Sequence, residues 1–140
     1  MKNLFLSLVI ILSFFVNNTD VQAQAWLKGH WVGTGYQYTD GSAWSIDLEY
    51  NSKKNIKITY PSLACSGSFV RTSSNRHKAV FVEKILVGKD VCYDNSKVVI
   101  TKIDKRYVSI AYFLPDQFSG PVAIAVLERK KLDVKTVKKM

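Results

Sequence analysis

From Trp26 onward the chain alternates apolar and polar residues in short runs, separated by turn residues. Period-two alternation puts one face of a strand on a core and the other in water. The first run covers residues 30–38, and Thr39-Asp40-Gly41-Ser42 follows as a turn with the favoured Asp-Gly pair. The second covers 43–50, with Trp44, Ile46, Leu48 and Tyr50 on one face and Ser45, Asp47 and Glu49 on the other. Residues 56–60 alternate likewise until Pro61 removes a ladder donor. Runs at 65–72, 78–85, 97–103, 107–114 and 122–130 bring the predicted strands to eight. Most connections are short, which makes sequential strands antiparallel neighbours. The fold class is therefore all-β. Eight such strands close into an up-and-down barrel without free edges. A two-sheet sandwich is the alternative. The chain shows no convincing amphipathic helix, internal repeat or linker.

The first 23 residues follow a different pattern. Lys2 gives a charged start, Leu4 to Val16 is apolar apart from Ser7 and Ser13, and Val21-Gln22-Ala23 supplies a cleavage sequence. This predicts a signal peptide over residues 1–23, whose apolar run of about 13 residues is too short to span a bilayer. The organisation expected is a barrel domain over 24–130 and a basic tail over 131–140, in a secreted or periplasmic protein. The chain from Gln24 has 117 residues, enough for one domain, and keeps the full chain's net charge of +9. Such a charge favours anionic partners: an envelope surface or polymer, nucleic acid or an acidic protein. The same charge could simply keep the surface solvated. From the end of the eighth run into the tail Arg129, Lys130, Lys131, Lys135, Lys138 and Lys139 cluster, and they are the candidates for contact with an anionic partner.

Cys65 and Cys92 are the two cysteines of the chain. In an oxidising compartment an even pair predicts one disulfide. A metal or redox pair is the alternative, but His30 and His77 stand apart and no ligand spacing accompanies the cysteines. Neither a metal nor a cofactor is expected. No Gly-x-Ser-x-Gly, His-Glu-x-x-His or phosphate loop is present, and neither histidine falls in a catalytic pattern, so an enzyme is not expected.

Trp31-Val32-Gly33-Thr34-Gly35-Tyr36 resembles the first strand of the lipocalin and avidin superfamily, which implies a tryptophan plugging one barrel end. A second resemblance joins Trp31-x-Gly33 to Tyr60-Pro61-Ser62, to Cys65-Ser66-Gly67, to Glu83-Lys84-Ile85 and to Gly88-Lys89-Asp90-Val91-Cys92. This order is similar to that of a bacterial secreted module found alone or attached to larger proteins. It implies a small disulfide-linked β-barrel and carries no established activity. Ser66-Gly67-Ser68-Phe69 also resembles the Ser-Gly loop of one group of periplasmic lysozyme inhibitors, with Phe where that loop has Tyr. The net charge of +9 opposes a basic lysozyme as partner.

Glu83 is the single residue of greatest interest. The 78–85 run puts Ala79, Phe81, Glu83 and Ile85 on the inward face, where an acid is costly unless paired. Two readings compete. In one, Glu83 is held by amides near Cys65–Gly67 or by Arg71. In the other, it faces a cavity and anchors a polar or cationic ligand group. If a pocket exists, Tyr36, Trp44 and Tyr60 are expected to line it with Glu83. The function expected is a secreted, non-enzymatic binding module for an anionic partner or a small ligand in the barrel. A lysozyme-inhibitor type of protective protein is the alternative.

Overall fold

The alternating runs become eight strands: β1 (Gly29–Gln37), β2 (Ala43–Ser52), β3 (Asn55–Tyr60), β4 (Cys65–Ser74), β5 (Lys78–Val87), β6 (Lys97–Lys102), β7 (Tyr107–Phe113) and β8 (Ala123–Arg129). The structure is a computed structural model that describes residues 25–116 and 119–131. The predicted signal peptide and Lys135, Lys138 and Lys139 lie outside these residues. Each strand pairs antiparallel with the next, and β8 returns to β1 through Trp31↔Arg129 to Gln37↔Ala123. The sheet is a closed barrel, not a sandwich. No helix among the described residues is long and apolar enough to cross a membrane.

Strand phase follows the sequence pattern. Ile46, Leu48 and Tyr50 of β2 point inward with Ile56, Ile58 and Tyr60 of β3. Phe69, Phe81, Ile100, Ile110 and Leu127 complete much of the core. Each large apolar side chain so buried contributes about 1.5–3 kcal/mol. Pro61 ends β3 and starts a 3-10 turn, Pro61–Leu63, which Ala64 closes in the left-handed region at φ 54°.

The two ends of the barrel differ. At one end, here the floor, Trp31 is fully buried and its indole N–H donates to the Leu27 carbonyl at 2.8 Å. The Arg129 guanidinium lies 4.1 Å from the Trp31 ring centroid, a cation–π contact. Arg129 also donates to the carbonyls of Trp26 (2.7 Å), Lys105 (3.0 Å) and Lys28. Arg129, grouped along the sequence with the tail cations, is the last residue of β8, within the predicted eighth strand, and part of the floor. The other end is the mouth, rimmed by the connections 38–42, 61–64, 88–96 and 114–122.

A disulfide joins Cys65 to Cys92. It fixes the 88–96 connection to the start of β4. Gly88, where that connection leaves β5, has φ 83°, and a Cβ there would sit 2.8 Å from the Cys65 sulfur. Glycine both adopts the backbone turn and clears the bridge.

Candidate functional site

The mouth leads into a cavity of about 270 Å³. At its base lies Glu83, 3 % exposed and directed inward by the phase of β5. The β5–β6 ladder stops at Val82↔Lys97. Beyond it the Glu83 N–H donates to the Ser96 carbonyl at 2.9 Å, and the Asn95 N–H donates to the Glu83 carbonyl at 3.0 Å. Asp94 accepts the Ile85 N–H at 2.9 Å, and this bond lowers its pKa. The disulfide and these backbone bonds thus hold the 88–96 connection against the end of β5 as one wall of the cavity.

The Glu83 carboxylate accepts a hydrogen bond from the Tyr60 hydroxyl. The hydroxyl oxygens of Tyr60 and Tyr112 lie 3.2 Å apart, within hydrogen-bonding distance. Burial pushes the Glu83 pKa up from about 4.5 to about 7; the Tyr60 bond opposes the shift and the negative charge of Asp94 adds to it. Burial also raises both phenols well above their ordinary value. Burial thus moves the titration of this carboxyl group toward the neutral range.

Trp44 forms another wall, edge-on to Tyr112 with ring centroids 6.3 Å apart. Its position depends on Gly35, its partner across the β1–β2 ladder. A Cβ on Gly35 would fall 2.6 Å from the indole, so the ring can cover β1 only where β1 has no side chain. Leu63 and Val91 add apolar surface, and Asp40 stands at the rim. Two carboxylates line the cavity, and no lysine, arginine or histidine among the described residues does.

The structure brings together three of the four residues expected to line a pocket: Trp44, Tyr60 and Glu83. Tyr36 is placed differently. Trp31 and Gly35 point inward on β1, so the neighbouring Tyr36 points outward, 46 % exposed, beside an outer groove with Ile124 and Val126. The expected partners of Glu83 also differ. Arg71 donates instead to Ser74 at 3.1 Å, and Ser66, Gly67 and Ser68 lie within β4, paired with β3 on one side and β5 on the other. Tyr112 and Asp40 were missing from the expected site. Tyr112 was within reach, because Val108, Ile110 and Tyr112 share one face of an alternating run.

His30 does not stand apart as expected. Its Nε2 lies 2.6 Å from Asp47 Oδ1 on the outer face of β1 and β2, and Glu49 completes a group within 4.8 Å. These three could offer ligand atoms to a metal ion. They lie on the barrel exterior, away from the cavity.

Geometry thus defines a class: a disulfide-linked, eight-stranded antiparallel barrel, plugged at one end and open at the other onto a carboxylate–phenol cavity. No family model matches the chain, and no curated protein matches it. Among solved structures it is similar to the crystal structure of Treponema pallidum Tp0751 (Pallilysin), with 11 % identity, 91 % of this chain and 93 % of that chain covered, and a TM-score of 0.46.

Proposed function

We propose that the protein is a secreted or periplasmic, non-enzymatic binding module that takes one small ligand in the barrel mouth. The ligand offers an apolar body to Trp44 and Leu63 and a cationic group to Glu83. The observation that carries this reading is a buried carboxyl group at the base of an open cavity that, among the described residues, two acids and no bases line. An inward acid costs stability unless something compensates it, and a ligand cation does so directly. At about 270 Å³ the cavity holds roughly nine water volumes of ~30 Å³, which restricts the ligand to a small molecule or the end of a longer one. The disulfide supports an oxidising compartment.

The test is calorimetric titration with hexylamine, hexanol and hexanoate at pH 6 and pH 8. Hexylamine should bind best, and better at pH 8, where Glu83 is ionised. Glu83→Gln should weaken hexylamine at least about tenfold, the effect expected of a lost buried charge pair. Equal binding of hexylamine and hexanoate, or an unchanged affinity in Glu83→Gln, would overturn the proposal.

A further inference from the structure

Along the sequence the lysines look scattered, but the barrel sorts them. Connections alternate between the two poles in an up-and-down barrel, so every second turn falls at the same end. Among the described residues outside the strands, the floor segments 25–28, 53–54, 75–77, 103–106 and 130–131 carry eight cations and one anion. The mouth segments 38–42, 61–64, 88–96 and 114–122 carry one cation and four anions. All eight floor cations are exposed. Among them Arg106 alone has an ion-pair partner in the described residues, Glu128 at 2.6 Å. The single floor anion, Asp104, accepts the N–H groups of Arg106 and Tyr107 within its own turn.

Two apolar residues share this pole. Ile103 is 55 % exposed at the end of β6. Trp26 is half-buried, with its indole N–H donating to the Asn75 carbonyl at 3.1 Å. Cations that share a pole with an exposed isoleucine and a half-buried indole match the layered chemistry of a bilayer interface: phosphate headgroups outside, apolar chains beneath. Phosphate recognition on a polymer would not require the exposed isoleucine.

We infer that the closed floor is a docking face for an anionic phospholipid surface, and that it holds the mouth facing away from that surface. The inference is independent of the mouth ligand, since the two poles share no residue. Lysines near an anionic leaflet each add to partitioning, and the attraction fades with the Debye length, from about 10 Å at 0.1 M salt to about 3 Å at 1 M.

The test is co-sedimentation of the chain from Gln24 onward, which contains the whole barrel, with vesicles. One set is an equal mixture of phosphatidylglycerol and phosphatidylcholine, the other phosphatidylcholine alone. The floor variant is Lys53→Glu with Lys105→Glu. The control is Lys84→Glu with Lys97→Glu, an equal change of net charge nearer the mouth. Far-UV circular dichroism and melting confirm that both fold. The chain should bind the anionic vesicles at 0.1 M salt, release at 1 M and ignore phosphatidylcholine. The floor variant should lose at least about tenfold in partitioning and the control little. Equal losses in both variants would reduce the effect to net charge and overturn the inference. So would failure to bind phosphatidylglycerol at low salt, or retention by dextran sulfate beads without vesicle binding, which would point to a polymer.

Discussion

The raised pKa of Glu83 makes the stability of the barrel depend on pH. Its pKa is about 7 in the folded barrel, against about 4.5 ordinarily. Below pH 4.5 the group is protonated in both the folded and unfolded states and costs nothing. Between 4.5 and 7 the unfolded chain ionises first, so stability falls as pH rises. Above 7 the penalty is complete. At about 1.4 kcal/mol per pKa unit, the loss amounts to about 2–4 kcal/mol. Glu83→Gln should flatten this decline and raise the urea midpoint at pH 8 relative to the parent. If the variant keeps the parent's slope between pH 4.5 and pH 8, another group is responsible. Glu83→Ala acts differently. At pH 4.5 there is no charge to relieve, and the Tyr60 hydroxyl loses its acceptor, at a cost of about 1–3 kcal/mol. Tyr60→Phe removes the donor that holds the carboxylate ionised, so the pH transition should move upward. A transition that moves downward would contradict the described hydrogen bond.

At the scale of elements, the 88–96 connection depends on the Cys65–Cys92 bond. Closing that loop stabilises the fold by about 3 kcal/mol through the unfolded chain. Intact mass without reductant should show no alkylated cysteine, and reduction should lower both the melting temperature and hexylamine affinity, because Cys92 lines the cavity wall. Affinity that survives reduction would separate the wall from the bond. Gly35→Ala should displace the Trp44 indole and shift its fluorescence, since a methyl group there meets the ring. Much of this level was readable from the chain. Alternation alone placed all eight strands within two residues of their bounds and turned Glu83, Ile46 and Tyr60 inward. Tyr36 was misplaced although parity with Trp31 would have turned it outward. The Tyr60–Glu83 bond and the Arg129–Trp31 stack were not readable, because each joins strands whose relative register depends on the whole barrel.

At the scale of the molecule, one interior runs from the Trp31 plug to the mouth. Such a core should unfold as a unit. Tryptophan fluorescence and far-UV circular dichroism should therefore give one coincident thermal transition; two separated midpoints would divide the plug from the mouth. The polarity of charge belongs to this scale too. It arises from connection parity and is invisible in a linear count of lysines. The seam between β1 and β8 has a further consequence. Arg129 reaches back to the carbonyls of Trp26 and Lys28, so the described barrel begins and ends within one side chain's reach. In effect the described barrel is a ring that happens to be cut at its plugged pole. Joining those ends by a short linker and opening the ring between Gly120 and Pro121 should give a circular permutant with the same strand pairs. A fusion partner on the ends of the unpermuted barrel would instead hang from the pole opposite the cavity and leave its entrance clear.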